Sequence, residues 1–155
     1  VRFFVRKVKE YSRNSALDFN RFLSLRGLAG ALEYNLKNET LDVCVQTSSQ
    51  DPNAHMTHSV RTLSGGEQAF STLCLIMAMW QLSVTPMRAL DEFDKNMDSA
   101  YQRDSLRLLF DQFRMQKQRQ FLVLTPLDYS SFIKELGISD DECKIHRLQA
   151  VQRVA

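Results

Sequence analysis

Apolar residues in the first stretch of the chain, Val1, Phe4, Val5, Val8, Tyr11, Phe19, Phe22 and Leu23, return at helical spacing, with Arg2, Arg6, Lys7, Lys9 and Arg13 between them. This predicts a long amphipathic helix. Its basic face is either a solvated surface opposite the core or a coiled-coil end or DNA-touching rim, and the spacing fits both. Gly27 and Gly30 break the period, after which Leu32, Tyr34, Leu36 and then Leu41, Val43, Val45 alternate strictly with other residues. Period two predicts two strands. The polar Lys37-Asn38-Glu39 between them supplies a turn, giving a hairpin with one buried face. The polar segment Thr47 to His58 (TSSQDPNAHMTH) predicts an exposed, mobile connection.

Helical spacing resumes with Ala69, Phe70, Leu73, Cys74, Ile76, Met77 and Trp80, directly after Leu63-Ser64-Gly65-Gly66-Glu67. A helix starts at Gly65 or Gly66, and Ser64 three residues before Glu67 has capping-box spacing. Pro86 stops the pattern. A short strand, Met87-Arg88-Ala89-Leu90, leads into Asp91-Glu92, with further carboxylates at Asp94 and Asp98. Asp98 is placed to cap a helix through Leu106, Leu109, Phe110 and Phe113, which the basic stretch Arg114 to Arg119 ends. Phe121-Leu122-Val123-Leu124, stopped by Thr125-Pro126, reads as a fully buried strand. A short helix from about Ser130 to Leu136 ends at Gly137, which can take the left-handed conformation, and Lys144 to Leu148 reads as a final, more exposed strand. Strand, helix, strand, helix, strand implies parallel crossovers and an α/β class.

Composition narrows the function classes. The 155 residues are 44% hydrophobic and 25% charged, the balance of a folded domain rather than a disordered or membrane-spanning chain. No apolar run approaches the roughly 18 residues of a spanning helix, and no basic leader with a cleavage site opens the chain, so an intracellular place is expected. Val1 already lies inside a helical pattern, from which missing parts are expected. With 20 Lys and Arg against 18 Asp and Glu, the net charge of +2 neither supports nor excludes a nucleic-acid partner, because a local patch can dominate. Cys44, Cys74 and Cys143 are odd in number and form no C-x-x-C pair, which argues against a disulfide framework and against structural zinc; reduced, mostly buried thiols are expected. His55 and His58 lack a third ligand nearby and are set aside.

Two features carry chemistry. Ser64-Gly65-Gly66 at a helix start offers backbone N–H groups, the positive end of the helix dipole and a hydroxyl, a phosphate-binding surface. Alone it is a weak signal, because capping boxes preceded by glycine are common. Asp91-Glu92 ends a strand, where adjacent carboxylates point different ways, so that one can hold a hydrated Mg²⁺ while the other orients water. Alone it too is weak, because an acidic pair in a loop is usually solvated surface. In this order, about 25 residues apart, the two reinforce each other. None of the five glycines (Gly27, Gly30, Gly65, Gly66, Gly137) belongs to a G-x-x-x-x-G-K-[ST] phosphate loop, so the chain does not cradle ATP alone in the usual way; that loop is expected on a separate N-terminal segment.

Leu63-Ser64-Gly65-Gly66-Glu67-Gln68 and Leu90-Asp91-Glu92-Phe93-Asp94 resemble the signature and Walker B motifs of an ABC-type ATPase head, and Asn96-Met97-Asp98 resembles its D-loop. With FLVLTP after it, the string from Arg61 to Asp98 is similar to the C-terminal head lobe of Structural Maintenance of Chromosomes (SMC) proteins. Phe70-Ser71-Thr72, Arg88 and Thr125-Pro126 favour one branch of that family. The resemblance covers roughly residues 16 to 150 and includes the hairpin around Lys37-Asn38-Glu39-Thr40-Leu41.

The resemblance implies an α/β fold, the parallel-sheet core of a P-loop NTPase without its Walker A lobe, carrying a β-hairpin. Residues 1–26 would form the returning coiled-coil neck helix and residues 27–155 the C-terminal lobe. It implies ATP hydrolysis at a head–head interface, incomplete in this stretch because Walker A is absent, in chromosome maintenance and DNA repair. Leu63, Ser64, Gly65, Gly66, Glu67 and Gln68 would contact ATP held by a partner. Asp91 would hold Mg²⁺ through water and Glu92 would be the general base. Asp98 would line the interface, and Thr125 would stand at the switch position usually held by histidine. The implied partners are the Walker A lobe, a second SMC subunit, a kleisin at the neck and DNA, with no membrane, in the nucleus on chromosomes. Two other readings are a non-catalytic docking lobe that recruits kleisin and accessory subunits, and the head of another ABC-type repair ATPase.

Overall fold

A computed structural model describes residues 2–46 and 63–148 of the chain. The polar connection Thr47 to His58, with His55 and His58, lies outside the described residues. Two compact units are distinguished, the first running to Thr125 and the second starting at Pro126.

In the first unit, α1 (Arg2–Ser24) is the expected long helix, but its apolar stripe divides. Phe19, Phe22 and Leu23 are at most 1% exposed, whereas Phe4 is 69% exposed and Tyr11 45%. Only the C-terminal half of α1 therefore joins the core. The hairpin follows as β1 (Ala29–Asn35) and β2 (Thr40–Gln46), antiparallel, with Leu32 opposite Val43 and Gly30 opposite Val45. Gly30 is where α1 meets the hairpin: a Cβ there would lie 2.4 Å from Leu23 Cδ1, 2.8 Å from Phe19 Cε1 and 2.9 Å from the Cys44 carbonyl oxygen. Hydrogen holds that place because nothing larger fits. Tyr34 ties three elements together, its hydroxyl 2.7 Å from Ser15 Oγ on α1 and 3.9 Å from Met79 Sδ on the helix that follows, α2 (Gly65–Trp80).

Helix α2 (Gly65–Trp80) sends Phe70, Leu73, Cys74, Met77 and Ala78 into the same core, joined there by Leu90, Leu108 and Leu109. β3 (Met87–Asp91), α3 (Ser99–Met115) and β4 (Gln120–Leu124) form the expected strand–helix–strand crossover, with β3 and β4 parallel and Asp91 opposite Leu124. One face of this pair meets the helices. Phe121 stacks on Phe113 at 4.0 Å and lies 6.0 Å from Trp80. The other face is open, with Met87 58%, Leu122 50% and Leu124 40% exposed. β4 is thus not the fully buried strand its apolar run predicts; two strands with helices on one side leave alternate residues uncovered.

Arg88, on the covered face, is 4% exposed. Its guanidinium donates to the carbonyls of Trp80 and Ser83, where α2 ends, and to Gln116 Oε1 at the end of α3. It also lies 5.3 Å from the Trp80 ring centroid. Two carbonyls at the partially negative C-terminal end of α2 and the side-chain amide oxygen of Gln116 compensate the buried charge.

In the second unit, α4 (Ser130–Glu135) closes as expected at Gly137, whose φ is +66°. Gly137 N–H donates to the Lys134 carbonyl at 3.0 Å and Ile138 N–H to that of Ile133 at 3.2 Å, the paired bonds of a Schellman motif. The strand expected over Lys144 to Leu148 does not form. Among the described residues no strand pairs with them, and Arg147 holds Asp128 at 2.8 Å and Ser130 Oγ at 3.0 Å. The three cysteines are thiols, Cys44 and Cys74 buried and Cys143 half-buried. Among the described residues no helix is long and apolar enough to cross a membrane.

Candidate functional site

The helix start at Ser64 is built by its own neighbours. Ser64 has extended backbone angles, its Oγ accepts the Glu67 N–H at 3.3 Å, and Glu67 Oε2 accepts the Ser64 N–H at 2.8 Å. Both halves of the capping box are therefore made. The N–H groups of Gly65 and Gly66 have no acceptor among the described residues, and Ser64 keeps its hydroxyl proton for an outside acceptor. Leu63, 9% exposed, anchors the approach, while Gln68 is exposed and its N–H takes the Ser64 carbonyl at 2.9 Å. A helix start with two open N–H groups and a hydroxyl suits a phosphate. Glu67 is spent on the cap.

This start lies against the segment between β3 and α3. Cβ atoms at Gly65 and Gly66 would stand 3.9 and 3.8 Å from the Asn96 carbonyl oxygen, and one at Gly66 would stand 3.2 Å from the Tyr101 ring. Tyr101 is sandwiched in turn, the Arg26 guanidinium 4.0 Å from its centroid and bonded to Asp104 at 2.7 Å. Burial acts to lower the Arg26 pKa, but Asp104 and Tyr101 outweigh it and hold the guanidinium above its ordinary value. Asp98, as expected, caps α3, its Oδ1 accepting from Ala100 and Tyr101 N–H at 2.9 Å each. The structure thus brings the Ser64–Gly66 tip and the Asn96–Asp98 loop together.

The acidic end is different. Asp91 closes β3 and is exposed. Glu92 has φ +45°, a left-handed conformation rare outside glycine. Its N–H continues the ladder to the Leu124 carbonyl at 3.0 Å, and its carboxylate holds Lys95 Nζ at 2.8 Å in an exposed pair. No hydrogen bond or ion pair among the described residues joins Ser64 to Asp91 or Glu92. Two further residues define this end. Asp94 is 0% exposed and accepts the Thr125 hydroxyl at 2.6 Å. The sequence places Asp94 in the Walker B-like string without a role of its own; its burial has no local signal, since its partner stands 31 positions away. Among the described residues no group of three or more His, Cys, Asp or Glu is arranged to enclose a metal. An exposed strand-end carboxylate with a second beside it suits a Mg²⁺ held mainly by water and phosphate rather than by a protein cage.

A signature-type helix start, a parallel strand ending in two acids and a D-loop-type segment between them make up the C-terminal lobe of an ABC-type ATPase head. No family model matches the chain. The chain is 39% identical over 131 residues, 81% of its length, to human Structural maintenance of chromosomes protein 6. It is 35% identical over 128 residues, 78% of its length, to protein 6B of Arabidopsis thaliana. Each match takes up 12% of the relative, so the chain spans about an eighth of the curated relatives it resembles. Among solved structures, one from work on ATP-driven dimerization and DNA-stimulated activation of SMC ATPases superposes with a TM-score of 0.61 at 24% identity, covering 82% of this chain and 73% of that one. The SMC head domain of Thermotoga maritima superposes with 0.55 at 25% identity, covering 85% and 41%. A Pyrococcus furiosus SMC head bound to the C-terminal domain of ScpA gives 0.60 at 24%, covering 83% and 31%. The chain belongs to the SMC family as a C-terminal ATPase head lobe, and within the family it resembles the sixth member.

Proposed function

We propose that this lobe is half of a composite ATPase in which two heads sandwich ATP, each offering its signature motif to nucleotide bound by the other. The observation that carries the reading is the preformed Ser64 cap, with the Gly65 and Gly66 N–H groups open and the Asn96–Asp98 loop beside them. Leu63 to Gln68 meet the γ-phosphate of the partner's nucleotide through Ser64, Gly65 and Gly66. In the chain's own site Asp91 holds Mg²⁺ through water and Glu92 takes the proton of the attacking water. Bound Mg²⁺ supplies charge neutralisation at the transferring phosphoryl group. Asp98 lines the head–head interface, and Thr125 occupies the switch position.

The Walker A lobe, elsewhere in the same protein, completes the nucleotide site and covers the open face of β3 and β4, where Met87, Leu122 and Leu124 await a neighbour. Residues 1–26 are the neck and 27–155 the lobe. The fifth SMC member supplies the second head. A kleisin engages the exposed Phe4, Val5 and Tyr11 of α1, a reading supported by the ScpA-bound heads among the structural neighbours. DNA runs over basic surfaces such as Arg6, Lys9 and Arg13, and the work is chromosome maintenance and repair in the nucleus.

The test uses the full-length chain paired with its second head. Glu92→Gln retains ATP binding and loses turnover in this chain's own site by about 100-fold or more. Ser64→Arg leaves this chain's own nucleotide binding intact and abolishes hydrolysis in the partner's site. Wild-type turnover in both variants refutes the composite site and leaves a docking lobe.

A further inference from the structure

We propose that Asp94 and Thr125 are positioning residues that hold the Glu92 turn, the Thr125 hydroxyl serving this buried link rather than a bound phosphate. The inference rests on Glu92 being the general base. Glu92 sits at φ +45°, which a residue with a Cβ keeps only where its surroundings over-determine it. The surroundings do so from β4. Glu92 N–H bonds the Leu124 carbonyl at 3.0 Å, and the next residue, Thr125, donates its hydroxyl to Asp94 at 2.6 Å. Two consecutive residues of β4's end thus grip the turn at two points two residues apart, one through backbone and one through side chains. Two points fix an orientation where one would leave a pivot.

Three further bonds brace the segment: Lys95 N–H to the Glu92 carbonyl at 3.2 Å, Met97 N–H to the Asp94 carbonyl at 3.1 Å, and Gln102 Nε2 to the Met97 carbonyl at 2.9 Å. Asp94 is the deepest part of this grip, and a carboxylate at 0% exposure draws strongly on each donor it has. A hydroxyl has one proton. With that proton directed at Asp94, Thr125 meets a phosphate only by giving up the grip on the turn.

The experiment uses the full-length chain paired with its second head and reads ATP turnover in this chain's own site, ATP affinity without turnover, and the thermal midpoint. Thr125→Val keeps the shape and deletes the hydroxyl; kcat falls about tenfold while the Kd for ATP is unchanged. Thr125→Ser restores most of the rate. Wild-type kcat in Thr125→Val overturns the proposal, and so does a loss confined to ATP affinity, the signature of a phosphate-sensing hydroxyl. Should Thr125→Val melt below the assay temperature, Asp94→Asn decides, because its amide oxygen still accepts from Thr125 but without charge assistance. There a several-fold drop in kcat at unchanged Kd supports the link and a wild-type kcat overturns it. Glu92→Gln run in parallel separates the two readings: full turnover there removes Glu92 as base, whereas its loss beside wild-type turnover in Thr125→Val removes only the positioning link.

Discussion

The two ends of the candidate site are made in opposite ways. The signature end is relaxed and local: Ser64 at φ −60° and ψ 157° bonds a residue three positions on and is bonded by it in return. The acidic end is strained and non-local, Glu92 at φ +45° being held by Leu124, and Asp94 two residues on by Thr125. A surface that must greet another molecule's phosphate gains from standing ready before the encounter. A proton-accepting carboxylate gains from a fixed direction, and here the direction is imposed by a neighbouring strand.

The largest predicted effect tests how firmly the acidic strand is seated. Arg88→Ala leaves the Ser83 carbonyl and Gln116 Oε1 without their guanidinium donor, removes one of the donors to the Trp80 carbonyl, which keeps Ser83 N–H and Arg119, and opens a cavity under β3. The expected loss is about 3 kcal/mol of stability, read by urea unfolding of the folded chain. Lysine in that place keeps the charge but not the fork, and recovers only part of it. A loss as small as that of a surface substitution would mean that β3 is held by its ladder with β4 alone.

Next come two substitutions of similar size and opposite sign. Glu92→Gly relieves the left-handed strain and raises stability by about 1 kcal/mol. Ser64→Ala removes the cap and lowers it by about 1 kcal/mol. Equal signs in the same unfolding assay would break the contrast between a strained end and a relaxed one.

That contrast also explains what was legible in the sequence. The capping box, the Asp98 cap, the Lys37-Asn38-Glu39 turn and the Gly137 stop all lie within a few residues of the groups they satisfy, and each was readable from spacing. The β3–α3–β4 crossover was readable because apolar runs and a capped amphipathic helix alternate there. Features fixed by distant partners were not. Phe121 to Leu124 has the same composition whether one face of its sheet is covered or two, so the exposure of Leu122 and Leu124 left no trace. Lys144 to Leu148 has strand-like alternation, but a strand exists only with a partner, and none among the described residues pairs with it. The burial of Asp94, the close approach at Gly30 and the split of the α1 stripe are likewise properties of packing.

The smallest effect concerns the exposed Lys95–Glu92 pair, where openness of the acidic end can be read through salt. Glu92 holds Lys95 above the ordinary lysine range by its hydrogen bond and then its charge, with Asp91 adding to it. A raised pKa in the folded state means that the pair's contribution is fully present below the unfolded lysine value of about 10.4 and disappears as pH climbs through the folded one. Both side chains are largely in water, 66% and 49% exposed, so screening reduces that contribution toward nothing. Lys95→Ala should therefore leave the urea midpoint unchanged at neutral pH and about 0.15 M salt, with a slight loss emerging only in low salt. A loss that persists in high salt and vanishes only at strongly alkaline pH would place the pair out of water, and the acidic end would then be as enclosed as the Asp94–Thr125 link beneath it.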